Sequence, residues 1–331
     1  MTIKEIAKMA GVSTAAVSRY FNKGYISDEK REAIRKVVEK TGYHPSMQAQ
    51  TLRTRRTNLI GVVIPRIDSS SIARVVAGIM EVADANEYQL LLANTTNDMQ
   101  KELEYLSVFH DKQVDGVILV GTLFTDKHQA ALANMEVPLV IIGQKVAGYN
   151  SVYHDDYNAE YDITKFLLDK GRKNLVYLGV TEEDKAVGVN RYEGFKKAVS
   201  DAGLEGLAER RVIGGFNSMD GYESMRNAFE QFEYIDGVVA VTDTIASGAM
   251  KFLHEKGIRI PEDVMVVGQG DSQLARIVTP ELTTVRYFYE ESGRKATDML
   301  IEKLKGEENL PIRMVKLGYE LIDRGSTELK K

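Results

Sequence analysis

The sequence predicts an α/β body built on parallel sheets, preceded by a small all-helical head. From Leu59 onward, short apolar runs (LIGVVI, QLLLAN, DGVILV, PLVIIG, NLVYLG, DGVVAV and DVMVVG) alternate with helix-length amphipathic stretches. Runs that are apolar throughout suit strands buried on both faces, and helices between such strands suit parallel crossovers. Charge divides the chain at nearly the same place. Residues 1–57 hold 12 Lys+Arg against 5 Asp+Glu, whereas the remainder holds 31 against 43. A basic head on an acidic body implies that the head meets a polyanion and the body does not.

The head reads as three short helices. Ile3, Ile6, Ala7 and Ala10 recur at helical spacing, and Gly11 permits a tight turn after them. Ser13 is placed to cap a second helix running to about Phe21. Its apolar stripe is thin (Val12, Val17, Phe21), and the rest of its surface is Ser13, Thr14, Ala15, Ser18 and Arg19. Side chains that short let a helix enter a groove and hydrogen-bond what lies there. Ser27 begins a third, strongly charged helix with Ile34, Val37 and Val38 as its buried stripe, ending near Gly42 with Pro45 just beyond. Two helices joined by a short glycine turn form a helix-turn-helix, the second helix being the reader.

In the body, the stretches Ile72–Asn86, Asp156–Lys170, Arg191–Ala202 and Thr244–Lys256 are the clearest helices between the apolar runs. Seven or more strands over about 270 residues fit one large sheet or two smaller lobes, and periodicity does not choose between them. The chain has no cysteine, which excludes disulfides, thiolate metal sites and a cysteine nucleophile. The first residues show no apolar core of a leader, and no run approaches the length of a membrane span. Five scattered histidines (His44, His110, His128, His154, His254) lack metal-ligand spacing, and there is no G-x-S-x-G elbow and no P-loop. GQGDSQ imitates part of a dinucleotide fingerprint but lacks the third glycine. No catalytic residue, metal or cofactor is expected. A transport receptor of the same body type would not carry a basic helix-turn-helix.

The stretch TIKEIAKMAGVSTAAVSR resembles the head of the lactose/galactose repressor family, and the resemblance continues through QAQTLRTRRTNLIGVVIP, VTDTIASGAM and VTPELTTV over essentially the whole chain. Ala16 replaces the usual Thr, and the loop NKGYIS is a residue shorter than in many members. The resemblance implies a two-lobed, type I periplasmic-binding-protein-like body with three crossovers. It places the DNA-binding domain at 1–45, a hinge helix and linker at 46–58, and an effector-binding and dimerisation domain at 59–331. The first lobe would be about 60–157 plus 288–312, and the second about 158–287 plus 313–331. It also implies a cytoplasmic homodimer on palindromic, double-stranded operator DNA.

By the same resemblance, Thr14, Ala15 and Arg19 face base edges. Arg19 suits guanine O6/N7, while Ala15 or the Thr14 methyl suits a thymine methyl. Ser13, Ser18, Asn22 and Tyr25 are placed for phosphates. In the hinge, Leu52 matches the residue wedged into the minor groove, with Arg53, Arg55 and Arg56 on phosphates. So short a helix does not hold alone and should form only on DNA, beside its dimer mate.

For the body, the resemblance implies a sugar or sugar-phosphate effector between the lobes. Ser69, Ser71, Ile72, Gln144 and Asp155 come from the first lobe, Arg191, Phe216, Thr242 and Asp271 from the second, and Tyr287 and Tyr289 from a crossover. Arg191 is expected at the mouth of the cleft. Phe216 and Tyr289 suit core packing as well, and Asp243 suits capping of the helix at Thr244. Gly143 and Gly270 stand where the family often has an aspartate. The segments SVYHDDY, VTEEDKAVG, VGQGDS and VKLGYELI are similar to sucrose-operon repressors, which makes sucrose or its 6-phosphate the leading effector. The alternative is a global catabolite regulator whose co-repressor is a phosphorylated carrier protein.

Overall fold

The structure, a computed structural model, describes residues 1–22, 24–43, 56–111, 114–122, 124–306 and 310–329. The chain divides into two compact units, Met1–Asn58 and Leu59–Lys331. The first holds helices α1 (Ile3–Met9), α2 (Thr14–Phe21) and α3 (Asp28–Thr41). Thr2 and Glu5 close a reciprocal cap at the start of α1, and Ser13 Oγ accepts from the Ala16 amide at 3.2 Å at the start of α2. Ile6, Ala7, Ala16, Val17, Ile26, Ile34 and Tyr43 form the buried centre of this unit. Ala16, the departure from the family pattern, is therefore a core position.

The second unit contains two six-stranded sheets, which resolves the choice that periodicity left open. The first sheet runs β11-β5-β4-β3-β1-β2, with β1 (Leu59–Ile64), β2 (Gln89–Asn94), β3 (Gly116–Val120), β4 (Leu139–Ile142), β5 (Asn150–His154) and β11 (Met314–Leu317) all parallel. The second runs β12-β10-β9-β8-β6-β7. Its members are β6 (Leu175–Gly179), β7 (Arg211–Ile213), β8 (Gly237–Ala240), β9 (Met265–Gln269), β10 (Thr283–Tyr287) and β12 (Tyr319–Ile322). Here β12 lies antiparallel to β10, where only parallel pairing was expected.

The chain crosses between sheets three times: after β5 into helix Asp156–Asp169, after β10 into helix Tyr289–Leu304, and between β11 and β12. Helix Tyr289–Leu304 contributes Ala296, Met299, Leu300 and Ile301 to the first lobe's core. Helix Asp156–Asp169 contributes Ala159, Ile163 and Leu167 to the second. The last crossover corrects the expected lobe boundary. Met314–Leu317 pairs with β5 in the first sheet, so the return to that lobe extends past residue 312, and only the segment after Gly318 joins the second. Among the described residues, no helix is long and apolar enough to cross a membrane.

Candidate functional site

On the head, Thr14, Ala15 and Arg19 are exposed along α2, with Asn22 exposed just past its end and Tyr25 91% exposed. Ser13 spends its hydroxyl on the cap, and Asn22 Nδ2 donates back to the Ser18 carbonyl. Among the described residues no carboxylate pairs with Arg19, so its fork is available to an external acceptor. One helix face thus combines short side chains with one extended donor. Leu52, Arg53 and Arg55 lie outside the described residues.

In the body, a chamber of about 160 Å³ lies between the two sheets, beyond the carboxyl ends of β1, β3 and β4, where open α/β sheets bind ligands. Ser69, Ser71 and Ile72 reach it from the start of helix Ser70–Ala85, where the two seryl hydroxyls stand 2.9 Å apart. Arg191, Phe216, Thr242 and Tyr289 line the other side. Seven of the eleven expected effector residues therefore meet here. Thr242, not Asp243, caps the next helix, its hydroxyl accepting from the Ile245 amide at 3.2 Å. Asp243 is buried, accepting from Thr284 Oγ1 and from the Ser272 amide.

Arg191 departs from its expected setting at an open mouth. It is 4% exposed, and its Nε and Nη2 both reach Asp156 Oδ1, at 2.8 and 2.7 Å. Its Nη1 donates to the Val241 carbonyl, and its guanidinium lies 4.9 Å from the centre of the Tyr287 ring. Burial works against its charge, but Tyr287, Asp156 and Tyr289 more than offset that, so Arg191 titrates well above the ordinary range. Below it, Tyr287 Oη donates to Gln269, whose amide donates to Glu160. Burial pushes the Glu160 carboxyl up to about 8. The floor of the chamber is thus a continuous, buried polar network.

Four expected residues serve other contacts. Gln144 donates to the Gly121 carbonyl at 3.1 Å, and Asp155 holds Lys316 at 2.6 Å. Tyr287 lies beneath the chamber, 2% exposed. Asp271 is clasped by Arg324, Arg286 and Arg276, at 2.6, 2.8 and 3.2 Å. Burial opposes its ionisation, but the three guanidinium groups outweigh it and hold its carboxyl down at about 2. The two glycine departures share a cause. Gly143 and Gly270 adopt φ of +106° and +132°, left-handed conformations that an aspartate enters only with strain.

Sequence reasoning missed Arg66, His154, Asp156 and Asp184 in the chamber lining. Burial pushes the Asp184 carboxyl up despite a hydrogen bond from the Val187 amide, and burial also lowers His154. The available signal was a carboxylate at a helix start preceding an apolar stripe: Asp156 before Ala159 and Ile163. A second chamber of about 500 Å³ adjoins the first and shares Asn97, Thr122, Asp184 and Phe216 with it.

A capped helix-turn-helix with an exposed reading face, in one chain with a two-lobed body holding an interlobe ligand chamber, defines a DNA-binding regulator with a sensing domain. Comparison with known proteins agrees. Residues 2–46 match "Bacterial regulatory proteins, lacI family", and residues 164–327 match "Periplasmic binding protein-like domain". The chain is 34% identical to the sucrose operon repressor of Staphylococcus xylosus, over 92% of this chain and 93% of that one. Among solved structures, a complex of the transcriptional regulator CelR with cellobiose is 26% identical with a TM-score of 0.75, covering 98% and 99% of the two chains. A lac repressor dimer bound to operator and an anti-inducer shares the fold, with a TM-score of 0.89 at 22% identity, over 99% of each chain. The chain belongs to the lacI family and is a transcriptional repressor rather than an enzyme.

Proposed function

We propose that this repressor controls a carbohydrate operon, with sucrose as the effector bound in the interlobe chamber. The observation that carries the reading is the chamber's composition. Seryl hydroxyls on one wall face a buried, paired guanidinium and two aromatic rings on the other. A sugar offers hydroxyls to the first and its C–H face to the second. The likeness to the sucrose operon repressor supports the choice of sugar.

The charge balance favours the neutral sugar over its phosphate. Both arginines in the lining are already engaged, Arg66 with Asp68 at 2.9 Å and Arg191 with Asp156. The first chamber already carries Asp156 and Asp184, and the adjoining one adds Asp98, Glu102 and Glu183, so a dianionic group would meet carboxylates. The domains then divide the work: 1–45 binds DNA, 46–58 forms the hinge, and 59–331 senses and dimerises. The protein acts in the cytoplasm as a homodimer on a palindromic operator. A ligand touching both lobes shifts their closure by its differential affinity, and that shift weakens the hold on operator.

Thermal unfolding and operator titration, each with sucrose and with sucrose 6-phosphate, test this. Sucrose at about 100 times its Kd should stabilise the body by about 2.7 kcal/mol and weaken operator binding. Tighter binding of the phosphate would overturn the choice of effector. A response to neither would overturn the sugar reading.

A further inference from the structure

We propose that Arg74 is a latch between the two lobes: carried by the first, it grips a backbone carbonyl of the second and holds the pair in the arrangement that binds operator. The effector-free protein is taken, on the reading above, as the operator-binding form.

Arg74 lies on helix Ser70–Ala85 and is half-buried. Its Nη2 donates to the Gly270 carbonyl at 2.6 Å, joining residues 196 positions apart. Gly270 directly follows β9 of the second sheet, so this bond spans the lobes. Among the described residues no carboxylate pairs with Arg74, so the carbonyl meets a charged donor that no ion pair competes for.

Both ends are held in place beforehand. On the donor side, the guanidinium lies 4.7 Å from the centre of the Tyr289 ring, and Nε donates to the Ser70 carbonyl at 3.4 Å. The helix itself lies tight against helix Tyr289–Leu304, where a Cβ on Gly78 would stand 2.0 Å from the Glu290 carbonyl oxygen. On the acceptor side, Gly270 and Asp271 both take left-handed conformations, with φ of +132° and +43°. The arginine clasp on Asp271 holds this turn, as do the Gly270 amide on the Val285 carbonyl and the Ser272 amide on Asp243, each at 2.7 Å.

Position makes the latch a regulator. Arg74 does not line the effector chamber; it borders a crevice of about 680 Å³, and Tyr289 borders both. Ser71, one helical turn earlier, does line the chamber. A ligand seated on Ser71 therefore bears on the turn of helix that carries the latch, and a shift of about 1 Å there takes the bond beyond hydrogen-bonding range. A second interlobe bond, from the Lys185 amide to the Thr122 carbonyl at 2.9 Å, does not involve Arg74, so removing the latch loosens the lobes without separating them.

Double electron–electron resonance between spin labels at Gln129→Cys in the first lobe and Ser200→Cys in the second reads the lobe arrangement. The chain has no cysteine of its own, and both sites are exposed on helices. Labelled chains are diluted with unlabelled ones, so that only distances within one chain count, and no sugar is added. Arg74→Met keeps the length and loses the donor. It should shift or broaden the distance distribution and weaken operator binding about tenfold, with binding to random DNA unchanged. Arg74→Lys should recover most of that loss, because a single carbonyl needs one charged donor rather than a fork. An unchanged distribution in Arg74→Met overturns the latch, and a changed distribution with wild-type operator affinity overturns its part in regulation. Either result leaves the sugar reading intact, which fails separately in the titrations with sucrose.

Discussion

The buried pair Arg191–Asp156 is expected to serve both stability and sensing, and substitutions can separate the two. Both side chains are 4% exposed, and the guanidinium makes two contacts with one carboxylate oxygen plus one with the Val241 carbonyl. Arg191→Met leaves Asp156 buried without its counter-charge and Val241 without its donor. Breaking a buried ion pair on one side costs about 3–5 kcal/mol, and unfolding of the body should report that cost as a fall in Tm of roughly 6 °C or more. Replacing both partners, Arg191→Met with Asp156→Leu, removes the stranded charge, and such exchanges are often neutral or stabilising. The double variant should therefore recover most of the lost Tm and bind operator normally, yet its operator affinity should no longer respond to sucrose. The assays are thermal unfolding monitored by circular dichroism, and operator titration with and without sugar. A cost below about 1 kcal/mol for Arg191→Met would contradict a desolvated pair. A wild-type sugar midpoint in the double variant would remove the pair from sensing.

Three further outcomes are expected. Arg19→Ala should cost about 1–3 kcal/mol on the true operator and much less on random DNA; equal weakening of both would mean that Arg19 only neutralises phosphate. Ser13→Ala should destabilise the head by about 0.5–2 kcal/mol through loss of the α2 cap, measured on the head's own unfolding transition, and an unchanged transition would contradict the 3.2 Å bond. Glu160 provides a pH test. Its folded-state carboxyl titrates near 8 against an ordinary 4.5, so the folded state holds the proton through that window while the unfolded state releases it. Its contribution is then fully present below about 4.5 and is lost as pH rises through 8. Glu160→Gln should flatten the decline in Tm over that range, and an unaltered slope would show that Glu160 is ionised in the fold.

The sequence by itself determined what depends on neighbours along the chain. The cap at Ser13, the thin stripe of α2 with its polar outer face, and the apolar runs of the two sheets are all set within a few residues. Local periodicity and hydrogen bonding are enough to specify them. The division into two sheets was not legible in that way. Strands β11 and β12 are separated by Gly318 alone, yet one runs parallel to β5 and the other antiparallel to β10. Nothing in a pair of four-residue strands states which sheet edge will receive them.

The interlobe chambers were legible only in part, for a related reason. Arg191 was recognisable as a candidate effector residue, but its burial depends on Asp156, 35 positions earlier, and on Val241, 50 later. Asp271 had the residue type of a sugar ligand, and three arginines on other segments consume it. Glu102 left a faint trace as a carboxylate on the apolar stripe with Leu106 and Phe109, whereas His128 had none, because its partner lies on another helix. Residue type and spacing specify which groups a chain can offer. Which of them remain free to meet a ligand is decided by desolvation and pairing across distant segments, and only the tertiary structure brings those segments together.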